Sequence, residues 1–237
     1  RQASHQLSAE QIAALCDRRF GIGADGVIFV GREGNADYSV RYYNPDGTQS
    51  LCGNGCRSAV NLAARLGLAG THSVFSAYDG NHDAELMPDG RIRIRMNDVR
   101  SIERMLGGYY MDTGSPHFVK FVRGLAGYPV FEEGRKLRYD PVFPIGTNAN
   151  FIERVDNGTL ALRTYERGVE QETLACGTGA TASAIAASFE GYSSPVTLLA
   201  TGGVLQVDFS KSPDGSFTDI FLTGPATLVF EGDIELP

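Results

Sequence analysis

Two cysteines, Cys52 and Cys176, each open a similar glycine-rich phrase, CGNG at 52–55 and CGTG at 176–179, and an alanine-rich stretch typical of a helix follows each phrase. The first N–H groups of a helix have no acceptor within the helix and lie at the positive end of its dipole. A cysteine at that position is favoured as the thiolate, and the same N–H groups bind anions. The repeated phrase therefore predicts two acid/base thiols that act on one anionic substrate.

The composition limits the kind of protein that carries these thiols. With 237 residues, of which 42% are hydrophobic and 21% charged, the chain is typical of an ordered globular protein. The net charge of −7, without a basic run, argues against a nucleic acid partner. No apolar stretch reaches the length of a membrane span, so we expect a protein of the cytoplasm with no membrane partner. Four cysteines in a chain of this length do not make a disulfide scaffold.

Local patterns predict helices and strands in both halves. Ser8 and Gln11 form a predicted capping box that begins a helix through Cys16, and a second helix is predicted at 54–66. The residues Asn44-Pro45-Asp46-Gly47 predict a turn. Strands are predicted at 26–30, 38–43, 91–96, 109–113, 118–122, 151–155, 160–165, 204–209, 218–222 and 227–230.

Gly107 and Gly108 mark the predicted domain boundary, because strands followed by a cysteine and a helix occur again after them. We predict an α+β fold of two pseudo-symmetric domains, residues 1–108 with Cys52 and residues 109–237 with Cys176. In each domain a curved mixed or antiparallel sheet wraps around one central helix, and the cysteine lies at the N-terminal end of that helix. The last strand, at 227–230, could return to the first domain.

Five segments in this order resemble one known family. They are GIGADG (21–26), NPDGTQSLCGNGCR (44–57), TGSPHFV (113–119), GTNANF (146–151) and YERGVEQETLACGTGA (165–180), and they span nearly the whole chain. Together they resemble diaminopimelate epimerase. The resemblance implies two domains with a cleft between them and a pyridoxal-independent interconversion of L,L- and meso-diaminopimelate, a step in the synthesis of lysine and of a cell-wall precursor. It implies no cofactor. We also expect no metal, because the spacing of Cys52 and Cys56 lacks a clear second pair and the four histidines are scattered.

The residues fit the chemistry that the resemblance implies. Inverting the α-carbon requires proton removal on one face and proton return on the other, which a thiolate and a thiol on opposite sides accomplish. The α-hydrogen is a far weaker acid than a thiol of pKa ~8.5, so the substrate carboxylate must be stabilised as it gains enediolate character. We expect the main-chain N–H groups at the two helix ends to stabilise this carboxylate. They belong to Gly53, Asn54, Gly177 and Thr178.

The resemblance also implies a second set of substrate-binding groups. Asn44, Asn148 and Arg167 hold the distal carboxylate, with Arg167 able to make a two-pronged contact. By the same resemblance, Glu166 accepts a hydrogen bond from an ammonium group and assists the ionisation of one cysteine. His117 assists the ionisation of the other cysteine.

The sequence departs from the family pattern in three places. Ser115 stands where the family often has a substrate-contacting asparagine, which implies a shorter or water-mediated contact, and Gly26 stands where some members have glutamine. The family usually opens with a strand and a GNDF-like phrase that supplies a further asparagine, and this sequence starts after that point.

Other functions remain as alternatives. A proline or hydroxyproline racemase would have no use for the set Asn44, Asn148, Glu166 and Arg167, because its substrate lacks a second amino-acid end. A non-catalytic binding protein, or a zinc protein that uses Cys52, Cys56 and Cys176, would not need the cysteines as bases. A pyridoxal enzyme is disfavoured because none of the three lysines has a setting typical of a Schiff base. The partner is a small amino-acid substrate, and the oligomeric state stays open, with a homodimer among the alternatives.

Overall fold

The computed structural model describes residues 7–32, 34–50 and 52–236. These residues form two compact units, the first extending to Ile94 and resuming at Ala226, and the second comprising Arg95–Pro225. None of the helices in the described part of the chain combines the length and the apolarity that crossing a membrane requires.

This division differs from the boundary predicted after residue 108. Leu106 and Gly107 link two antiparallel strands of the second unit, and both have positive φ, 47° and 72°. Positive φ at both central residues is the geometry of a tight hairpin turn that matches the twist of the strands. The glycine pair therefore marks a hairpin inside one unit.

The first unit contains two helices and five strands. Its elements are α1 (Ala9–Cys16), β1 (Val27–Gly31), β2 (Tyr38–Tyr43), α2 (Gly53–Arg65), β3 (His72–Ala77), β4 (Gly80–Leu86) and β5 (Ile92–Arg95). The sheet order is β1-β2-β3-β4-β5. Strands β2 and β3 are parallel, with α2 as the connection between them, and the other neighbours are antiparallel.

The helices of the first unit begin where local chemistry predicts. The hydroxyl of Ser8 accepts from the N–H of Gln11, and the side chain of Gln11 caps the backbone of Ser8 in return, so the predicted capping box is confirmed. Helix α2 buries Cys56, Ala59, Val60 and Ala63, which recur at the spacing of one helix face. That face packs against β1, β2 and β4.

The second unit is built around a larger sheet. Its helices are α3 (Val130–Arg138) and α4 (Gly177–Ser188), and its strands are β6 (Ile102–Met105), β7 (Gly108–Asp112), β8 (Pro116–Phe121), β9 (Asn148–Arg154), β10 (Thr159–Glu166), β11 (Gln171–Thr173), β12 (Val196–Ala200), β13 (Gly203–Lys211) and β14 (Phe217–Gly224). The order is β14-β13-β12-β10-β9-β8-β7-β6, and β11 pairs with β10 outside this path. The pairs β8–β9 and β10–β12 are parallel.

Helix α4 is the core of the second unit. Every residue from Gly177 to Ala187 is buried, and all of them except Ile185 are Gly, Ala, Ser or Thr. The helix contacts strands β7, β8, β9, β10, β12, β13 and β14. A helix buried on all sides needs apolar or small residues around its whole circumference, and small residues let the sheet approach from every direction.

The two cysteine helices occupy matching places in the chain. In each unit an antiparallel strand pair precedes the cysteine helix, and the strand after the helix pairs in parallel with the second strand of that pair. The series are β1-β2-α2-β3 and β9-β10-α4-β12, with the short strand β11 inserted between β10 and α4. The predicted α+β class, with a large curved mixed sheet and central cysteine helices, is confirmed.

The strand predicted at 227–230 is wrong. Residues 225–236 contain no helix or strand, and Val229 and Phe230 are 87% and 66% exposed. The carbonyl of Ala226 accepts a hydrogen bond from the side chain of Asn61 on α2. The apolar residues Leu228, Val229 and Phe230 favour a strand locally, but the segment has no strand partner among the described residues, and its start is hydrogen-bonded to a helix side chain.

The packing around α4 gives a first testable expectation. Ala184 is 0% exposed in α4, so Ala184→Leu forces three extra carbons into a filled core. We expect the free energy of unfolding to fall by ~1–3 kcal/mol in denaturant titration. Ala13→Leu, the same change on an exposed position of α1, is the matched control and should change stability by less than ~0.5 kcal/mol. Equal effects at both positions would contradict the central placement of α4.

Candidate active site

The two thiols have the same local geometry. Cys52 is the N-cap of α2 with φ −121° and ψ 109°, and Cys176 is the N-cap of α4 with φ −120° and ψ 115°. In each helix the sulfur accepts a hydrogen bond from the N–H three residues on, Gly55 or Gly179, at 3.4 Å. A sulfur that accepts from the backbone at the positive end of a helix is stabilised as the thiolate.

The second glycine of each phrase lies in close contact with neighbouring side chains. A Cβ on Gly55 would lie 3.0 Å from the ring of Tyr42 and 3.3 Å from the Cβ of Cys52. A Cβ on Gly179 would lie 2.3 Å from Oδ1 of Asn150 and 3.3 Å from Sγ of Cys176. Both glycines therefore leave room for a residue that supports the thiol.

Cys52 lies near a buried cation of its own helix. Arg57 is 5% exposed, and its guanidinium donates to the amide oxygen of Asn54 at 2.7 Å and to the carbonyl of Gly53 at 3.4 Å. Burial lowers the pKa of Arg57, whereas negative charge at Cys52 raises it. An arginine keeps its proton in proteins, so its charge favours the thiolate of Cys52.

Tyr42 supports the same thiol from β2. Its hydroxyl donates to the carbonyl of Asp25 at 2.8 Å and also lies within hydrogen-bonding reach of Cys52. Burial, followed by the charge of Cys52, raises the pKa of the phenol far above its ordinary range, so the proton stays on Tyr42. Gly26 makes space for this ring, because a Cβ there would lie 2.5 Å from Cζ and Oη of Tyr42.

Asn44 lies in the turn that follows β2. Its side-chain amide donates to Thr48 at 3.0 Å, and its amide oxygen accepts from Ser50 at 3.2 Å. Gly47, with φ 83°, closes the predicted turn by donating its N–H to the carbonyl of Asn44 at 2.9 Å. The side chain of Asn44 is thus fixed in the loop that leads to Cys52.

The remaining cysteines are core residues. Cys16 is 6% exposed in α1 and Cys56 is 3% exposed in α2. Burial raises the pKa of Cys16, and burial together with the charge of Cys52 raises the pKa of Cys56 to about 12. Both side chains therefore stay protonated near neutral pH.

In the second unit His117 connects to the thiol through a threonine. His117 is fully buried on β8, and its Nε2 lies 2.9 Å from Oγ1 of Thr178 and 3.0 Å from Oγ of Ser115. Oγ1 of Thr178 lies 3.4 Å from Sγ of Cys176. Burial lowers the pKa of His117 to about 3, so its imidazole is neutral near neutral pH.

The first turn of α4 is also held by its backbone. The hydroxyl of Thr113 donates to the carbonyl of Thr178 at 2.9 Å. This bond fixes Gly177 and Thr178, whose N–H groups lie at the first two positions of the helix, where no carbonyl four residues back can accept.

Asn148 and Arg167 are joined by a direct hydrogen bond. The amide oxygen of Asn148 accepts from the backbone N–H of Arg167 at 2.9 Å, and its NH₂ group donates to the carbonyl of Pro116 and to Ser115. One guanidinium nitrogen of Arg167 donates to the carbonyl of Ile145 at 3.0 Å. Glu166, the last residue of β10, accepts from the hydroxyl of Thr173.

Each unit thus gathers its own share of the predicted residues. The first holds Cys52, Gly53, Asn54 and Asn44, and the second holds Cys176, Gly177, Thr178, His117, Asn148, Glu166 and Arg167. Among residues 7–32, 34–50 and 52–236, no group of three or more His, Cys, Asp or Glu side chains is arranged to hold a metal ion.

Sequence reasoning missed three residues that support the thiols. Asn150 follows Asn148 by two positions on β9 and therefore shares its face of the strand, and Arg57 follows Asn54 by three on α2. Those spacings were readable from the sequence. The role of Tyr42 was not, because it depends on the contacts of its ring with two glycines.

Comparison with known proteins gives the family. The family model for diaminopimelate epimerase matches residues 1–102 and 109–229. The chain is 43% identical to the diaminopimelate epimerase of Flavobacterium psychrophilum over 227 residues, which are 94% of this chain and 88% of that protein. It is 39% identical to that of Chlorobaculum tepidum over 250 aligned positions, covering 100% of this chain and 95% of the relative.

Solved structures with much lower sequence identity share this fold. A phenazine biosynthesis protein of the PhzF family from Bacillus anthracis superposes with a TM-score of 0.73 at 15% identity, covering 92% of this chain and 86% of that one. At that identity the match concerns the fold alone. The family match and the identities above 30% over nearly the whole chain show that this chain belongs to the diaminopimelate epimerase family.

Proposed function

We propose that this protein interconverts L,L- and meso-diaminopimelate without a cofactor. One of the two cysteines Cys52 and Cys176 removes the α-hydrogen as a proton, and the other delivers its own proton to the opposite face. Family membership supports the reaction. The observation that carries the mechanism is the shared N-cap geometry of the two cysteines, each with its sulfur bonded to a backbone N–H.

The proton steps balance on this chain's own groups. One cysteine, as the thiolate, takes the α-hydrogen as a proton and becomes a thiol. The other cysteine, as the thiol, gives its proton to the opposite face of the carbanion and becomes a thiolate. The product is the epimer, and the protonation states of the two cysteines have exchanged, so the enzyme is poised for the reverse direction. The mechanism requires both sulfurs to reach one α-carbon from opposite sides.

The electron pair left by the α-proton needs electrostatic stabilisation. It spreads onto the substrate carboxylate, which then resembles an enediolate. We assign its stabilisation to the first N–H groups of the two helices, those of Gly53, Asn54, Gly177 and Thr178. Fixed dipoles of this kind need no reorganisation during the reaction, and they stabilise the enediolate, which carries more negative charge on its oxygens, more than the carboxylate from which it forms.

Recognition of the distal amino-acid end is assigned to Asn44, Asn148, Glu166 and Arg167. The bond from Asn148 to the backbone of Arg167 supports this assignment, because it fixes the residue that carries the guanidinium. The nitrogens of Arg167 that do not donate to Ile145 can form a two-pronged contact with a carboxylate. The substrate of a proline or hydroxyproline racemase has no distal carboxylate that could make this contact.

We also place the reaction in the cytoplasm. The mechanism needs two thiols that alternate between thiol and thiolate, and reducing compartments keep cysteines in those forms.

Isotope exchange tests the two-base mechanism. With L,L-diaminopimelate in D₂O and no added cofactor, the wild-type protein should place deuterium at the α-carbon of the epimer, measured by NMR. Cys52→Ser and Cys176→Ser should each lower the epimerisation rate by at least ~100-fold, because a serine hydroxyl is a much weaker acid than a thiol.

Cys16→Ser is the matched control for those variants, since Cys16 is a core residue of α1. Its rate per folded molecule should match that of the wild type. Full epimerisation by either site variant, or a requirement for pyridoxal phosphate, would contradict the mechanism.

Arg167→Gln tests distal recognition. Loss of a charge-assisted contact should lower kcat/KM for diaminopimelate by about 10- to 100-fold, mainly through KM. The bond to Asn148 uses the backbone of Arg167 and is retained in this variant. Arg123→Gln removes the same charge at an exposed position of the second unit and should leave KM unchanged. An unchanged KM in Arg167→Gln, or comparable activity of the wild type on proline, would favour the racemase alternative.

Tyr42→Phe tests the support of Cys52. When Cys52 ionises, the phenolic proton can turn from the carbonyl of Asp25 to the sulfur, so its loss should raise the pKa of Cys52 by about one unit. The pH dependence of iodoacetamide alkylation, followed by mass spectrometry of the Cys52 peptide, measures this shift. Tyr43→Phe, at the neighbouring position of β2, is the control. An unshifted Cys52 profile in Tyr42→Phe would show that the phenol does not act on the sulfur.

A further inference from the structure

We propose that Asn150 is a positioning residue that sets the direction of a hydrogen-bond chain, from its own amide through His117 and Thr178 to the sulfur of Cys176. The inference deepens the proposed function, on which the role of Cys176 as a base rests. All four residues belong to the second unit.

The orientation of the Asn150 amide is fixed by a backbone carbonyl. Asn150 is 0% exposed, and the carbonyl of Phe118 lies 3.0 Å from one end of its amide. A carbonyl only accepts, so that end must be the NH₂ group. The other end, Oδ1, accepts from the hydroxyl of Thr164 at 3.0 Å. A reversed amide would place two oxygens against each other in a buried site.

This orientation selects the tautomer of His117. The same NH₂ group lies 3.0 Å from Nδ1 of His117, so Nδ1 must accept the hydrogen bond. A neutral imidazole that accepts at Nδ1 carries its proton on Nε2. The ring is neutral because burial lowers the pKa of His117 to about 3, an effect to which the positive charge of Arg167 adds.

The tautomer in turn directs the hydroxyl of Thr178. The Nε2–H of His117 donates to Oγ1 of Thr178 at 2.9 Å, with Ser115 as a second acceptor at 3.0 Å. The hydroxyl proton of Thr178 must then point elsewhere, either to Cys176 at 3.4 Å or to Ser115 at 3.5 Å. A distance of 3.4 Å is an ordinary one for sulfur, whereas 3.5 Å is at the outer limit for two oxygens. The proton therefore points to the sulfur.

The chain supports ionisation of Cys176 without placing a charge beside it. Each group in the chain donates to the next one in the direction of the sulfur. A thiolate at Cys176 therefore gains the hydroxyl of Thr178 as a donor in addition to the N–H of Gly179. With the other tautomer, Nε2 would accept from Thr178 and the sulfur would lose that donor. One buried amide thus decides whether Thr178 donates to the thiol or to the imidazole.

The glycine phrase is built to admit this amide. A Cβ on Gly179 would lie 2.3 Å from Oδ1 of Asn150, so no other residue at that position could coexist with the amide as it lies. The residue that donates to Cys176 from the backbone is thus the one that leaves room for Asn150.

The tautomer is measured directly by ¹⁵N NMR of histidine-labelled protein, with His117→Gln used to assign the signals. We expect the wild type to show a protonated Nε2 and an unprotonated Nδ1 for His117 throughout the neutral pH range. A proton on Nδ1, or on both nitrogens, would overturn the proposal. This experiment does not depend on activity, so its failure is distinct from failure of the proposed function.

Variants of Thr178 test the last step of the chain. Thr178→Val should slow iodoacetamide alkylation of Cys176 near neutral pH by about tenfold, the effect of one lost hydrogen bond to a charged group, and leave Cys52 unchanged. Thr178→Ser retains the hydroxyl and should restore the rate. Both variants should keep the His117 tautomer of the wild type. Equal alkylation of Cys176 in Thr178→Val and Thr178→Ser would overturn the proposal.

Asn150→Leu tests the first step. It removes the donor to Nδ1, so the His117 signals should shift away from the pure Nε2–H form and Cys176 alkylation should slow as in Thr178→Val. Asn157→Leu, at an exposed position of the same unit, is the matched control and should change neither measurement. An unchanged tautomer in folded Asn150→Leu would show that Asn150 does not set it. If this variant does not fold, the wild-type ¹⁵N spectrum and the comparison of Thr178→Val with Thr178→Ser still test the proposal.

Discussion

The bond from a backbone N–H at the start of a helix to a cysteine sulfur is the constraint on which both halves of the site depend. The sulfur takes the place that a serine or aspartate oxygen usually has at an N-cap, and it satisfies the N–H of Gly55 or Gly179. The same geometry leaves the first two N–H groups of each helix without an acceptor inside the helix, which is the arrangement that binds anions. The same sulfur therefore caps the helix and is the proposed acid/base group.

This constraint explains why each helix must be buried among strands. A helix N-terminus in water loses much of its electrostatic effect to solvent, whereas a buried one retains it. Helix α4 achieves burial with small residues that allow seven strands to pack around it, β7 to β10 and β12 to β14. Helix α2 buries one face and includes Arg57, whose guanidinium is bonded to the first turn of the same helix. The two helices thus reach similar thiol settings by different packing.

The sequence predicted the elements that carry strong local signals. The capping box at Ser8, the strand Tyr38–Tyr43 and the two cysteine helices follow from capping and turn chemistry that acts over a few residues. It did not predict β3, β4 or α3, whose residues mix polar and apolar types. Strands β3 and β4 pair with each other in a hairpin, and α3 packs against β9 and β10. The glycine pair at 107–108 misled for a related reason, since a hairpin turn and a linker use the same residues.

The site divides in the same way. The residues of the glycine phrases could be identified as candidates because a cysteine and glycines at a helix start form a local pattern. The spacing of Asn150 from Asn148 could also be read from the sequence, whereas the contacts of Tyr42 with Gly26 and Gly55 could not. The proposed mechanism has two thiols with different surroundings share one reaction. It requires each cysteine to be a base in one direction and an acid in the other, so neither thiolate can be stabilised far beyond the other. Cys52 has a buried cation and a phenol nearby, and Cys176 has a hydroxyl whose proton is directed by a neutral histidine. A protonated histidine near Cys176 would hold this cysteine in its ionised state and slow the return proton transfer. This gives a physical reason for burying His117 deeply enough to keep it neutral.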